Sequence, residues 1–295
     1  MKNVCTIVLC LFSLLLQAQS EPILPILMKA VGTLTPEEKN YLKTIEEIDI
    51  PNKLKEFPAS LNNSNCPNLL KLSLRLSKDF KALPTAILEL EKLEELKLFT
   101  SRIKQLDLST LKNLRHLKIE GWELTHLLLG KKQADQFLFL ATYCNKLKSL
   151  KIDGQESIKS NHLDLSFFKN IHQLNIYHDN LVGITLAGAQ FKTLTTVNIG
   201  SYKLKSFKVI AQDQIQSSPL TSFMLTQSMS LKANLSFLER CTNLEDLFIY
   251  GPATIFLKDF SKLTKLKSLA IESTDLTVFP SGISNIIGLE ELRVR

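Results

Sequence analysis

Two groups of histidine and aspartate residues in the middle of the chain are the best candidates for catalysis or metal binding. One pairs His162 with Asp164, and the other combines His172 with His178 and Asp179. Imidazole and carboxylate groups transfer protons or hold a metal ion when a fold brings them together. Because neither group has the spacing of a known catalytic or zinc motif, we expect exposed polar side chains at these positions.

Other signatures of catalysis are missing from the sequence. It has no G-x-S-x-G turn, no H-E-x-x-H helix, no phosphate-binding glycine loop and no C-x-x-C pair. The chain carries 36 Lys and Arg residues against 29 Asp and Glu residues, spread along its length without a nucleic-acid-binding motif. We therefore predict a protein that is not an enzyme, has no metal or cofactor, and has no nucleic-acid partner.

Residues 1–20 have the features of a secretory signal peptide. Lys2 gives a positive start, residues 4–16 are apolar, and the small residues Ala18 and Ser20 precede the predicted cleavage site. The apolar run is shorter than the roughly 20 residues of a membrane-spanning helix. Removal of Lys2 lowers the net charge from +7 to +6. We therefore expect a secreted or extracytoplasmic protein, in the periplasm or on the outer surface if the source is bacterial, with no transmembrane segment.

One apolar pattern recurs from Ile45 to the end of the chain. Each unit has Leu, Ile, Val or Phe at its first, fourth and sixth positions, and successive units begin 21 to 33 residues apart. The eleven occurrences are Ile45-Ile48-Ile50, Leu69-Leu72-Leu74, Leu93-Leu96-Leu98, Leu114-Leu117-Ile119, Leu147-Leu150-Ile152, Ile171-Leu174-Ile176, Leu194-Val197-Ile199, Leu220-Phe223-Leu225, Leu244-Leu247-Ile249, Leu266-Leu269-Ile271 and Leu289-Leu292-Val294.

This spacing predicts the fold. The fourth and sixth positions lie two residues apart, so they point to the same side of a short strand. Strands that recur about every two dozen residues run parallel, and the residues between them form the return path. We predict an α/β solenoid in which a curved parallel sheet lines the concave face, with helices and loops on the convex face.

A family resemblance follows from these units. Residues 276–289 resemble the L-x-x-L-P-x-x-I-x-x-L-x-x-L consensus of leucine-rich-repeat proteins, and residues 80–93 and 54–61 echo it. The chain resembles secreted members of this family, and its lack of cysteine-stapled caps resembles bacterial members. The resemblance implies a repeat domain over residues 45–295 that binds a protein, peptide or glycan.

Two irregularities set this chain apart from the family. The asparagine usually found eight residues after the first leucine is replaced, for example by Trp122 and Tyr202, which predicts a less regular solenoid with local bulges. The unit that begins at Leu114 is 33 residues long. Residues 133–143 in it predict a longer outer helix, either as an insertion on the convex side or as a functional protrusion.

Three cysteines remain after signal removal: Cys66, Cys144 and Cys241. Each precedes the first leucine of a unit by three residues. The first two lie three units apart, or on the order of 15 Å, which is too far for the roughly 7 Å limit of a disulfide. Small buried residues are the favoured prediction, with metal binding and redox chemistry as alternatives.

The two ends of the predicted solenoid differ. Residues 21–44 form a capping segment, in which Thr35 as N-cap, Pro36 at the first helical position and Glu38 in a capping box predict a helix over residues 36–43. At the other end the last pattern runs to Arg295. That exposed edge is available to pair with another strand or to continue into further sequence.

The concave face can be predicted residue by residue, because side chains at the third, fifth and seventh positions alternate with the core. The second to fifth units give a charged stretch: Lys71, Ser73, Arg75, Glu95, Lys97, Phe99, His116, Lys118, Glu120, Ser149, Lys151 and Asp153. The next three units give an uncharged stretch: Gln173, Asn175, Tyr177, Thr196, Asn198, Gly200, Ser222, Met224 and Thr226. Asp246, Phe248 and Tyr250 follow in the ninth unit.

An uncharged stretch with amides and aromatic rings, flanked by charge, is typical of an interface centre. The predicted contacts are Gln173, Asn175, Tyr177, Asn198, Met224, Asp246, Phe248 and Tyr250, with the three aromatic residues as anchors. An ordinary polar sheet surface, with binding elsewhere or in loops, is the alternative.

We predict an extracytoplasmic binding protein that recognises a protein, peptide or glycan. The alternative is the recognition segment of a larger secreted protein, whose catalytic or anchoring domain lies beyond residue 295.

Overall fold

The computed structural model describes most of the chain beyond its N-terminal segment. The described residues are 23–144, 147, 149–152, 155–156, 158–159, 161–227, 231–233, 235–251, 253–255, 259–272 and 281–294. The predicted signal peptide lies outside them. No helix in the described part has both the length and the apolar character needed to cross a membrane.

Eleven parallel strands form one long sheet, and they follow one another in chain order. These strands are β1 (Glu47–Leu54), β2 (Lys71–Leu76), β3 (Glu95–Thr100), β5 (His116–Gly121), β7 (Phe139–Tyr143), β12 (Gln173–Tyr177), β14 (Thr196–Ser201), β16 (Ser222–Gln227), β18 (Asp246–Tyr250), β20 (Ser268–Glu272) and β21 (Glu291–Val294). The apolar positions of neighbouring units face each other, as Leu72 faces Leu96 and Leu74 faces Leu98. The predicted parallel sheet is confirmed.

Two shorter sheets occupy much of the return path. One contains β4 (Gln105–Asp107), β6 (His126–Leu129), β8 (Ser149–Ile152) and β9 (Gln155–Glu156). The other contains β10 (Ile158–Lys159), β11 (His162–Asp164), β13 (Gly183–Ala187), β15 (Ser206–Ile210), β17 (Leu231–Ala233) and β19 (Ala253–Ile255).

The helices are few and short. The α-helices span Ile23–Met28, Pro36–Thr44, Thr85–Leu88 and Lys131–Gln136, and the 3-10 helices span Val31–Thr33, Gly188–Lys192, Gln212–Gln214, Ser236–Arg240 and Ile283–Asn285. The sequence predicted helices and loops in the return path, but much of the return path consists of short strands. Its apolar residues alternate with period two, as Ile184 and Leu186 do in β13, and this period favours a strand over a helix.

A single apolar core lies between the long sheet and the return segments. Leu96 and Leu98 of the long sheet and Leu186 of β13 are fully buried in the same cluster. Phe223 of β16 and Phe207 of β15 pack edge to face across this core, with ring centroids 5.6 Å apart. Burial of each such side chain contributes about 1.5 to 3 kcal/mol, so the repeated units stabilise one another through continuous contact.

The predicted N-terminal helix is confirmed. It spans Pro36–Thr44, and its capping box is complete: the Glu38 amide donates to Thr35 Oγ1 at 3.2 Å, and the Thr35 amide donates to Glu38 Oε2 at 3.0 Å. Leu42 on this helix is fully buried in the common core. A second helix, Ile23–Met28, was not predicted from the sequence.

The local irregularity expected of this chain is visible in β1. Its pairing with β2 shifts between Ile50 and Lys53. Pro51 lies in the shifted segment, and proline has no amide hydrogen to donate to a neighbouring strand. β1 is an edge strand, which is where a sheet tolerates such a break.

The predicted outer helix over residues 133–143 is wrong in its C-terminal half. The helix spans Lys131–Gln136, and Phe139–Tyr143 form strand β7 of the long sheet, between β5 and β12. Phe137, Leu140 and Thr142 are buried and occupy the three pattern positions of this unit. The last position is a threonine and not Leu, Ile, Val or Phe, so the apolar pattern did not predict this unit.

The pattern Leu147-Leu150-Ile152 was consequently assigned to the wrong sheet. Its residues 149–152 form β8 of the four-stranded sheet. The longest unit of the structure therefore lies between Phe137 and Ile171, and β8 to β11 fall inside it.

Candidate functional site

The open face is the surface of the long sheet that points away from the core, and it is the face predicted to be concave. Strand register arranges its side chains in three rows that cross the sheet. The first row is Glu47, Lys71, Glu95, His116, Phe139, Gln173, Thr196, Ser222, Asp246, Ser268 and Glu291. The middle row is Asp49, Ser73, Lys97, Lys118, Ala141, Asn175, Asn198, Met224, Phe248, Ala270 and Arg293. The third row is Lys53, Arg75, Phe99, Glu120, Tyr143, Tyr177, Gly200, Thr226, Tyr250 and Glu272.

All eight predicted contact residues lie in these rows, on four adjacent strands. Strand β12 carries three of them and β18 another three, while β14 and β16 carry Asn198 and Met224. Strands β12 and β18 are three steps apart, or roughly 14 Å at the usual strand spacing. The sequence therefore located a contiguous group of side chains.

Three predicted members of the charged stretch do not lie on the open face. Ser149 and Lys151 belong to β8 in the four-stranded sheet, and Asp153 lies outside the described residues. Their places in the long sheet are taken by Phe139, Ala141 and Tyr143 of β7.

This correction widens the uncharged region to four adjacent strands. We call these twelve positions the neutral patch: Phe139, Ala141, Tyr143, Gln173, Asn175, Tyr177, Thr196, Asn198, Gly200, Ser222, Met224 and Thr226. Asp246, Phe248 and Tyr250 border it on β18. The sequence did not predict the three β7 residues, because Thr142 stands where the apolar pattern requires Leu, Ile, Val or Phe.

Aromatic rings stack at two places on this part of the open face. The rings of Tyr143 and Tyr177 are nearly parallel with centroids 4.9 Å apart, and those of Phe248 and Tyr250 are 6.2 Å apart. Burial raises the pKa of Tyr143 and of Tyr177, so both phenols stay protonated well above neutral pH. They remain uncharged groups with a hydroxyl that can donate or accept.

An amide pair lies in the middle row of the neutral patch. Asn198 Nδ2 donates to Asn175 Oδ1 across β12 and β14 at 2.7 Å. The Asn198 Oδ1 atom is buried and accepts no hydrogen bond from the described residues. A buried acceptor without a donor costs roughly 1 to 3 kcal/mol.

The charged sector of the open face comprises strands β1, β2, β3 and β5, and its charged side chains largely pair with one another. Lys97 Nζ lies 2.7 Å from Glu95 Oε1, and this hydrogen bond raises the pKa of Lys97. Lys118 Nζ lies 3.2 Å from Glu120 Oε1. Exposed pairs of this kind contribute about 0 to 1 kcal/mol to stability. Their main effect is to leave few uncompensated charges beside the neutral patch.

A cleft of about 240 Å³ opens where β12, β14 and β16 end. We call it the Gly200 slot. Its lining residues are Tyr177, His178, Asp179, Gly200, Ser201, Tyr202 and Thr226. The Tyr177 ring leans over Gly200, where a Cβ atom would lie only 2.6 Å from Tyr177 Cδ1. A larger residue at position 200 would therefore collide with the ring.

His178 was expected to be exposed, but it is 4% exposed and structural. Its Nε2 atom hydrogen-bonds the carbonyl of Leu147, and its Nδ1 atom accepts from the Asn180 amide at 3.1 Å. The ring ties the turn after β12 to the long unit before it, and this contact spans 31 residues of sequence. With both nitrogens engaged, His178 has no atom to offer a metal or a substrate.

The remaining candidates for chemistry are dispersed. His162 Nε2 bonds Thr185 Oγ1 at 2.7 Å on the six-stranded sheet, and His172 is exposed, as predicted. Among the described residues, no three His, Cys, Asp or Glu side chains come together as metal ligands.

The three cysteines are buried free thiols, as predicted. Burial raises the pKa of Cys66 to about 11 and those of Cys144 and Cys241 to about 12. The nucleophilic thiolate is therefore disfavoured at neutral pH.

Comparison with known proteins finds similarity at the level of structure only. No family model matches the chain, and no curated protein matches its sequence. A leucine-rich-repeat protein of Leptospira interrogans has a TM-score of 0.52 and 18% identity, over 90% of this chain and 70% of that one. An internalin of Listeria monocytogenes has a TM-score of 0.42 and 15% identity, over 94% of this chain and 89% of that one.

The fold assignment rests on the first of these likenesses and on the structure itself. An eleven-stranded parallel sheet, with one strand per repeated unit, is the architecture expected of such repeats. The chain therefore has the fold of a leucine-rich-repeat solenoid, similar to that of bacterial leucine-rich-repeat proteins.

Proposed function

We propose that this chain is a secreted, extracytoplasmic binding protein that recognises a protein, peptide or glycan through its open face. The observation that carries the proposal is the neutral patch, in which twelve positions on four adjacent strands carry no charged side chain. The signal-like residues 1–20 support secretion.

The composition of the patch supports a binding role. Stacked tyrosines offer large apolar surface and a hydroxyl, and the amides of Gln173, Asn175 and Asn198 offer hydrogen bonds in either direction. Binding on uncharged side chains avoids the several kcal/mol needed to desolvate a charge. Interface centres are depleted in charge and enriched in tyrosine for these reasons.

The rigidity of the long sheet supports the same role. Each strand of the neutral patch lies between two neighbouring strands, so backbone hydrogen bonds hold it on both sides. Side chains such as Tyr177 are further fixed by stacking. A partner that meets a surface already in its bound conformation loses less entropy on binding.

The proposal is tested with a partner selected by the mature protein, residues 21–295, from a glycan array and a displayed peptide library. The selected partner is then titrated with the variant Tyr177→Ala, Phe248→Ala, Tyr250→Ala. Anchor residues in an interface centre contribute about 2 kcal/mol or more each, so we expect the affinity to fall at least about a hundredfold.

A matched control replaces three exposed residues away from the open face. Met28, Tyr41 and Ile210 are 41%, 36% and 39% exposed, and their triple alanine variant should bind within about twofold of the unchanged protein. Full affinity in the anchor variant, or an equal loss in the control, would refute binding by the open face.

A further inference from the structure

A line of alternating cations and aromatic rings crosses the charged sector of the open face. The Arg75 guanidinium lies 4.5 Å from the centre of the Phe99 ring. Lys118 Nζ lies between two rings, 5.5 Å from that of Phe99 and 5.6 Å from that of Tyr143. Tyr143 stacks in turn on Tyr177. Each cation is thus held against the face of at least one ring, which is the geometry of cation–π attraction.

This line is interrupted at Gly200. On the side away from Tyr143, the residue facing Tyr177 in the third row is a glycine, and the next ring in that row is Tyr250. Among the described residues, no cation or second ring stacks on that side of Tyr177. The Tyr177 ring leans into the space that a side chain at position 200 would fill, and Tyr177 and Gly200 both line the Gly200 slot.

The slot has an acidic rim. Asp179 is a partly exposed carboxylate in its lining, and no lysine or arginine lines it. His178 contributes no free nitrogen, since both of its ring nitrogens are hydrogen-bonded. The lining thus combines the Tyr177 and Tyr202 rings with one negative charge.

We propose that the Gly200 slot receives one lysine or arginine side chain of the partner, which stacks on Tyr177 and pairs with Asp179. The proposal rests on the proposed function and specifies one group of its partner. A cation is attracted both by a ring face and by a carboxylate. The guanidinium of arginine is planar and stacks on rings, which favours arginine over lysine.

The size of the slot agrees with a single side chain. Its volume of about 240 Å³ lies below the roughly 300 to 1,000 Å³ of sites that enclose a whole small molecule. A neutral sugar could also stack on Tyr177, but it would leave the charge of Asp179 without a counter-charge.

The test uses nitrogen-15-labelled protein, residues 21–295, titrated with N-acetyl-arginine amide and followed by NMR. N-acetyl-citrulline amide serves as the uncharged analogue of nearly the same shape, and methyl glucoside serves as the sugar probe. We expect saturable shifts at the amides of Gly200 and Ser201. The arginine probe should bind at least about fivefold more tightly than citrulline, the ratio expected for about 1 kcal/mol of cation–π and charge attraction.

Two variants separate the two walls of the slot. Tyr177→Leu and Asp179→Asn should each weaken arginine binding about three- to tenfold, and Asp179→Asn should also reduce the preference over citrulline. Tyr177→Phe keeps a ring and should bind within about twofold of the unchanged protein, which excludes a merely structural effect. Tyr41→Leu and Asp213→Asn, at exposed positions elsewhere, should change nothing.

Equal binding of arginine and citrulline would overturn the slot proposal. Tighter binding of methyl glucoside, or unchanged binding in both slot variants, would do so too. These outcomes are distinct from failure of the proposed function: if the arginine probe fails while the anchor variant still loses its partner, the open face binds and only the slot assignment is wrong.

Discussion

Two buried glutamines join neighbouring units of this solenoid. Gln190 is 1% exposed, and its Nε2 atom donates to the carbonyls of Leu165 and Phe168, both at 2.8 Å. Its Oε1 atom accepts from the Ala187 amide at 2.7 Å. Gln133 makes the equivalent bonds to Leu108 and Leu111. These side chains bond backbone groups of the preceding unit and so connect neighbouring units.

Replacing one of these glutamines should be costly. Gln190→Ala removes three hydrogen bonds, and the Phe168 carbonyl loses its Gln190 donor, whereas the Leu165 carbonyl still accepts from the Phe168 amide at 3.2 Å. We therefore expect a loss of about 3 kcal/mol in the free energy of unfolding. Urea denaturation followed by circular dichroism measures it. The exposed Gln214→Ala is the control and should change stability by less than about 0.5 kcal/mol. A loss below about 1 kcal/mol for Gln190→Ala would mean that water replaces its bonds.

The buried thiols make stability depend on alkaline pH. The pKa of Cys66 is raised to about 11 and those of Cys144 and Cys241 to about 12, whereas thiols in an unfolded chain titrate near about 8.5. Above pH 9 the unfolded chain releases these protons and the folded chain keeps them. Stability should therefore be complete below this window and fall as pH rises through it.

The expected size of this effect follows from linkage. Between pH 8 and pH 10 the protein should lose about 5 to 6 kcal/mol more than a variant with all three cysteines replaced by alanine, or about 1.9 kcal/mol per thiol. Urea titrations of both proteins at the two pH values measure the difference. Parallel pH dependence in the two proteins would show that the thiols ionise equally in the folded and unfolded states.

At the scale of elements, strand β7 is the strand of the long sheet that the sequence pattern did not predict. Strand β3 could be predicted because Leu96 and Leu98 repeat the apolar spacing of β2. Strand β7 could not, because Thr142 fills an apolar position and the preceding residues 131–136 are helical. Residues 139–143 form a strand because they pair with β5 and β12. A local sequence pattern contains no information about this pairing.

Hydrogen–deuterium exchange tests this assignment directly. Amides of Phe139–Tyr143 are hydrogen-bonded inside the sheet, so we expect them to exchange as slowly as those of β12, Gln173–Tyr177. The adjacent helix, Lys131–Gln136, should exchange faster because it is short and partly exposed. Fast exchange of residues 139–143 together with this helix would contradict their place in the long sheet.

The Gly200 slot also depends on relations that sequence spacing does not give. Alternation along a strand placed Tyr177 and Gly200 on the same face, and this was predicted. That the Tyr177 ring leans over Gly200 depends on the register of β12 against β14. The burial of His178 depends on Leu147, which lies in another unit. Contacts between units therefore fix the finer geometry of the candidate site.

At the scale of the whole molecule, the open face is divided into sectors of different chemistry. Strands β1, β2, β3 and β5 carry charges that pair with one another, and strands β7, β12, β14 and β16 carry none on this face. In the function proposed above, the centre of the sheet is the contact region, since a partner binding there displaces water from uncharged groups.

The most direct test of the central claim is hydroxyl-radical footprinting of the mature protein with and without its selected partner. We predict that oxidation of Tyr177, Met224 and Tyr250 falls at least about threefold in the complex, since burial at an interface excludes water. Oxidation of the exposed Met28 and Tyr41 should stay unchanged. Protection of the helix residues with Tyr177, Met224 and Tyr250 still oxidised at the free-protein rate would contradict binding by the open face.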